Sequence, residues 1–275
     1  MSIATEITAL DTNLNAAKEA VEAKGGTVGD TGLAGLAGEI ATIPSGGAVF
    51  GTVTYVDGEN VEHTVTIQNP DELHSLCTTD NINVTIGGET FGNRNIVRVD
   101  LGSEAYYIKD NFLYGCNKLT TVTGVENIYF VGNYFLRNCS SLDCELNFTN
   151  LEGSTGSQFL AGCYAQNHTI TLGSKITELG TNFMQDCRGF AQNLTIPSTI
   201  TTIGTGFMRG CNNFTGNLVC STSTHPTDNN SLSTTSATAV MYTTGVTLTG
   251  TYASDWKNAL ADRDSSPYRK LILGS

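Results

Sequence analysis

Short runs of alternating polar and apolar residues recur through the middle of the chain, as in Thr169-Ile170-Thr171-Leu172 and Asn193-Leu194-Thr195-Ile196. A period of two marks a strand with one face in a core and the other in water. A second pattern stands between these runs: Phe, then Leu or Met, two variable residues, then Cys. It is written five times, at Phe112-Leu113…Cys116, Phe135-Leu136…Cys139, Phe159-Leu160…Cys163, Phe183-Met184…Cys187 and Phe207-Met208…Cys211, and the Phe positions lie 23, 24, 24 and 24 residues apart. Other columns keep the same step. Seven residues before Phe come Ala105, Ile128, Glu152, Ile176 and Ile200, and four before come Ile108, Val131, Thr155, Leu179 and Ile203. Seven after Cys come Thr123, Leu146, Ile170, Leu194 and Leu218, and nine after come Val125, Phe148, Leu172, Ile196 and Cys220. The spacing predicts a β-rich solenoid over 101–222, whose strands stack in parallel while the Phe and Cys columns fill the interior. Glu152 and Thr155, with Gly153, Ser154 and Gly156, predict one irregular turn in the middle copy.

The flanks follow other rules. Val49 to Ile67 reads as two strands about an Asp57-Gly58 turn, and Asp71 to Leu76 as a short helix behind Pro70. Val84-Thr85-Ile86 and Ile96 to Val99 are strands leading into the first copy, so 46–100 is a hairpin linker and a cap for the open end of the stack. After Cys220, a Ser/Thr/Asn-rich run to Thr238 is a loop. Val246 to Leu248, Trp256 to Leu260 and Tyr268 to Leu273 close the other end within 223–275. At the start, Ile3, Ile7, Leu10, Leu14, Ala17 and Val21 alternate steps of four and three, a heptad seam ended by Gly25-Gly26. A helix so short is marginal alone, so 1–45 is read as a helical oligomerisation or anchor segment.

The repeat columns resemble the BspA-like leucine-rich repeats. Leu194-Thr195-Ile196-Pro197, followed by Ile200, Ile203-Gly204, Phe207 and Cys211, is the fullest copy, and the resemblance runs from about 92 to 222. The proline that usually follows the strand appears only as Pro197, and the middle copy is degenerate. The resemblance implies a curved solenoid used for adhesion or recognition in bacterial surface proteins, protists and phages. The N-terminal stretch is similar to that of many tailed-phage structural proteins. It carries the same helix, a Lys24-Gly25-Gly26-Thr27-Val28 turn, a Gly32-Leu33-Ala34-Gly35-Leu36-Ala37 segment and Ile40-Ala41-Thr42-Ile43-Pro44.

Composition narrows the function. The formal net charge of −12 disfavours binding nucleic acid through its phosphates, and equally disfavours docking on anionic membranes. No run of about 18 apolar residues exists in the sequence, so no transmembrane helix is expected. Five of the eight cysteines share one column. They are expected as buried thiols, because an odd column leaves one over and cytoplasmic assembly disfavours oxidation. No CxxC or Cys/His cluster, Walker loop, GxSxG or HExxH is present, so no metal, cofactor or catalytic residue is expected. The outward strand residues Glu145, Asn147, Thr149, Thr169, Thr171, Asn193, Thr195 and Asn217 would form a flat, nearly uncharged face, the candidate ligand surface.

The start Met1-Ser2-Ile3-Ala4-Thr5-Glu6 has neither a basic nor an apolar signal region, which favours a protein made in the host cytoplasm and incorporated into a virion. The expectation is a phage structural protein. Residues 1–45 would join it to other virion proteins and to copies of itself, most simply as a trimer. The repeats would recognise a host-surface glycan or protein, as a tail-fibre, receptor-binding or baseplate component. A capsid decoration or head-fibre protein and a bacterial cell-surface adhesin are the alternatives.

Overall fold

The structure, a computed structural model, describes residues 50–79, 81–104, 106–226 and 247–261. Ile3, Ile7, Leu10, Leu14, Ala17 and Val21, and the segment Tyr268 to Leu273, lie outside the described residues.

The first elements build a cap. Strands β1 (Thr52–Val56) and β2 (Glu62–Thr66) form an antiparallel hairpin. Helix α1 (Pro70–Ser75) starts at Asn69, whose side-chain oxygen accepts the Glu72 amide at 3.0 Å, with Pro70 at the first helical position. A second hairpin joins β3 (Asn83–Ile86) to β4 (Glu89–Gly92). Gly87 and Gly88, with φ of 58° and 80°, make its two-residue turn, where a side chain would be strained. The cap grips the first repeat through Leu76, whose carbonyl accepts the Leu113 amide at 2.8 Å, and through Asn93. The Asn93 amide is fully buried and reaches the carbonyls of Thr79 and Tyr114 at 3.2 and 3.1 Å.

The repeats follow, with one short strand on a first face, another on a second face and an edge without strands. In chain order these are β5 (Ile96–Asp100), β6 (Tyr106–Ile108), β7 (Thr121–Thr123), β8 (Ile128–Val131), β9 (Leu146–Phe148), β10 (Gly153–Ser154), β11 (Ile170–Leu172), β12 (Ile176–Leu179), β13 (Leu194–Ile196), β14 (Thr202–Ile203), β15 (Asn217–Cys220) and β16 (Thr247–Thr249). Helix α2 (Ala253–Ala261) ends the described chain. On the first face β2-β1-β5-β7, β9-β11 and β13-β15-β16 pair, and on the second β6-β8 and β10-β12-β14. All pairings between repeats are parallel, with Leu146 opposite Ile170 and Leu194 opposite Leu218. The fold is the expected stack of parallel strands.

Two copies deviate, each for a local reason. The first is one residue shorter between Cys116 and its strand, so Val122, opposite Val99, is buried while Thr123 is exposed and donates to Asp100. The column assigned to Thr123 therefore belongs to Val122. In the middle copy Leu151 is buried and Glu152 turns outward to Lys175, at 2.7 Å. A register shift follows in β10, and the buried Thr155 hydroxyl accepts the Gly180 amide at 3.0 Å. This is the expected irregular turn.

The interior is a row of rings. Phe112, Phe135, Phe159, Phe183 and Phe207 are fully buried and nearly parallel, with centroids 5.6, 5.3, 5.5 and 5.8 Å apart. Beside them each cysteine meets the preceding turn. The thiols of Cys139, Cys163, Cys187 and Cys211 donate to the carbonyls of Leu113, Leu136, Leu160 and Met184, each at 3.1 Å. None of the eight cysteines forms a disulfide. Glycine sets the spacing of successive turns at one column: a Cβ on Gly180 would lie 2.0 Å from the Gly156 carbonyl oxygen, and one on Gly204 2.5 Å from the Thr181 nitrogen.

Candidate functional site

The expected strand face exists, but part of it is committed to the fold. Glu145, Asn147, Thr149, Thr169, Thr171, Asn193 and Thr195 are exposed, and Asn217 is half-buried. Asn147 turns its oxygen back to the Thr149 amide and hydroxyl, and the Asn193 oxygen accepts the Asn217 amide at 2.8 Å. The side chains of Glu145, Thr169, Thr171 and Thr195 make no hydrogen bond among the described residues.

A more structured surface lies on the edge that carries the Phe–Cys segments. Its backbone alternates in hand. The residue before each Phe has φ of 64°, 64°, 58°, 57° and 73° (Asn111, Tyr134, Gln158, Asn182, Gly206), and the residue after it 53°, 52°, 56°, 53° and 49° (Leu113, Leu136, Leu160, Met184, Met208). The third after it, Gly115, Asn138, Gly162, Asp186 or Gly210, is left-handed as well. Left-handed backbone costs roughly 1–2 kcal/mol per ordinary residue. Hydrogen bonds between turns offset that cost. The amides of Tyr134 and Asn138 bond the following turn at Ser157 and Ala161, both at 2.8 Å, while the Leu136 amide bonds the preceding turn at Phe112.

This backbone arrays outward side chains in vertical columns. Two residues after each Phe stand Tyr114, Arg137, Ala161, Gln185 and Arg209. Ala161 is the small member, and Gly162 beside it has no side chain, so a cleft of about 230 Å³ opens at the third copy. Ala161 and Gly162 form its floor. Arg137 and Asn138 of the preceding turn, and Gln185 and Asp186 of the following turn, flank it, with Gln158 and Tyr164 completing the lining.

Charge here is arranged by aromatic rings. The Arg137 guanidinium lies over Tyr114 and Tyr134, at 5.1 and 5.4 Å from their centroids. Arg188 lies over Tyr164 at 4.9 Å and approaches Asp186 at 3.7 Å. Gln185 donates to the other Asp186 oxygen at 3.0 Å. On the second strand face, Tyr107 stacks on Phe130 at 4.3 Å and both Tyr107 and Tyr129 are exposed. The apolar columns alone carry no sign of this edge. Its signal is the column two residues after Phe, where one alanine stands among tyrosine, glutamine and arginines.

The thiols have no place in this surface. Burial holds Cys139, Cys163, Cys187 and Cys211 above the usual thiol range, and pushes Cys220 to about 12. Among the described residues no group of three or more His, Cys, Asp or Glu is placed to hold a metal ion, and no helix is long and apolar enough to cross a membrane.

The BspA type leucine rich repeat region model matches six copies here, over residues 68–191 and 145–260. The chain belongs to this leucine-rich repeat family. The match reaches beyond 92–222 at both ends, into α1 and α2. Two solved structures are similar. One is a leucine rich cell surface protein from Faecalibacterium prausnitzii A2-165, at 13% identity and TM-score 0.37, covering 70% of this chain and 59% of that one. The other is a leucine-rich repeat protein from Bacteroides ovatus ATCC 8483, at 17% identity and TM-score 0.35, covering 63% and 46%. The leucine-rich repeat chain thus spans about half the length of these two proteins. No curated protein matches it.

Proposed function

We propose that this leucine-rich repeat protein is a recognition module that binds a host-surface glycan or protein while displayed on a tailed-phage particle. The observation that carries the recognition reading is the Phe–Cys edge, where a shallow polar cleft and ring-held arginines sit on a hydrogen-bonded, stacked backbone. A stack of this kind holds outward side chains at fixed spacing, which lowers the ordering cost of binding. The virion setting is supported by the N-terminal motif that ends in Ile40-Ala41-Thr42-Ile43-Pro44. In this reading residues 1–45 assemble the chain and join it to other virion proteins.

Two measurements test it. Purified full-length chain carrying a fluorophore is expected to stain host cells saturably, and a gold-labelled antibody to mark phage particles at the tail. Labelling of a bacterial envelope in uninfected cells instead would make the protein an adhesin. Light scattering is expected to give a defined oligomer, a trimer, for the full chain, and a monomer once residues 1–45 are removed. Monomers from both would end the assembly role of the Ile3 to Val21 seam.

A further inference from the structure

We infer that the cleft over Ala161 and Gly162 binds an acidic sugar, a hexuronate unit of a glycan, with Arg137 receiving its carboxylate. The inference rests on the recognition reading and assigns it a place and a ligand class.

Arg137 is the first reason. The chain has 26 acidic residues against 14 basic ones, yet this guanidinium has no carboxylate and no hydrogen-bond partner among the described residues. Among the described residues it is held by the faces of Tyr114 and Tyr134, which leave its N–H fork unused. A guanidinium fixed in that way offers two parallel donors matched to a carboxylate. The walls are the second reason. Asn138, Gln158 and Gln185 present amides, which both donate and accept and so suit hydroxyl groups. Arg188 covers one face of Tyr164, which stays 45% exposed and so leaves its remaining aromatic surface for the C–H face of a sugar ring.

Asp186 is the one acidic residue in the lining. One oxygen accepts from Gln185 at 3.0 Å; the other is buried without a hydrogen-bond partner, and the Arg188 guanidinium 3.7 Å from it offsets the negative charge that an anion in the cleft would meet. Size decides the rest. About 230 Å³ lies below the roughly 300–1,000 Å³ of pockets for drug-sized ligands, which fits one ring of a longer chain.

Calorimetry on the full-length chain tests this, with an oligomer of glucuronic acid, its carboxyl-reduced neutral counterpart, and a short peptide offering only a C-terminal carboxylate. The acidic oligomer is expected to bind at least tenfold more tightly than either other probe. Ala161→Gln restores the long side chain that Arg137 and Gln185 carry in the same column. Ala161 is only 5% exposed, so the thermal melt should shift down while the variant stays folded, and affinity should fall tenfold or more. Arg137→Gln should abolish the preference for acid over neutral oligomer. Equal binding of acidic and neutral oligomers, tighter binding of the peptide, or an Ala161→Gln variant that binds like the parent would overturn the assignment. Host-cell staining separates this from the broader reading. If parent and variant stain cells alike, only the cleft assignment falls; if the parent stains none, the recognition role falls.

Discussion

Leu160 shows how one residue carries the repeat. Its φ is 56°, its side chain is fully buried, its amide bonds the Phe135 carbonyl at 2.9 Å and its carbonyl receives the Cys187 thiol. A left-handed site tolerates side chains that do not branch at Cβ far better than β-branched ones. The column obeys that rule: Leu113, Leu136, Leu160, Met184 and Met208 contain no Val or Ile, although both are common elsewhere in the core. Leu160→Met should therefore cost less than about 1.5 kcal/mol. Leu160→Val removes a methylene and adds backbone strain, and should cost about 2–4 kcal/mol. Urea unfolding of both variants measures the difference, and equal losses would show that the handedness is not what selects the residue. Gln166 makes a related point. It occupies a column otherwise filled by Leu119, Leu142, Phe190 and Phe214, and is fully buried because it bonds both backbone groups of Cys144, at 3.2 and 2.9 Å.

At the scale of elements, the ends matter most, because a stack of identical turns exposes its first and last rungs. Helix α1, with buried Leu73, and the Leu76 that follows it cover the Phe112 end, and α2 covers the other. Trp256, the only Trp in the chain, is fully buried, meets Phe207 edge-on at 6.2 Å and donates its indole N–H to the Thr222 carbonyl at 2.9 Å. Trp256→Ala opens the row to water and should cost about 3–5 kcal/mol. Trp256→Phe keeps an aromatic ring, though a smaller one, and loses the hydrogen bond, so about 1–3 kcal/mol of loss is expected. Native Trp fluorescence should be blue-shifted and move red on unfolding. Red-shifted emission from the native chain would contradict the closed end.

The whole molecule inherits a pH response from its column of thiols. Cys139, Cys163, Cys187 and Cys211 are buried, and burial raises each above the ordinary value of about 9. A thiol raised in the folded state stays protonated there while the unfolded chain ionises, so unfolding releases protons at alkaline pH. Stability is then complete below about pH 9 and falls as pH rises toward the folded values. Each such thiol contributes a slope of about 1.4 kcal/mol per pH unit. Urea titrations from pH 7 to 10.5 should show a plateau followed by this decline, shallower in Cys163→Ala. A flat profile would mean the thiols ionise without unfolding the stack.

The step of 24 residues, the ring and thiol rows and the irregular middle copy were legible in the chain, because in a stack each inward position meets its own equivalent one turn away. A repeat along the sequence therefore becomes a row in space without knowledge of anything distant. Three features have no such rule. The closing contact of Trp256 joins residues with no periodic relation, and the one-residue shift at Val122 depends on how a shortened loop meets its neighbour. The cleft exists only once Arg137, Ala161 and Gln185 lie side by side, since a missing side chain leaves space only when its neighbours have been placed around it.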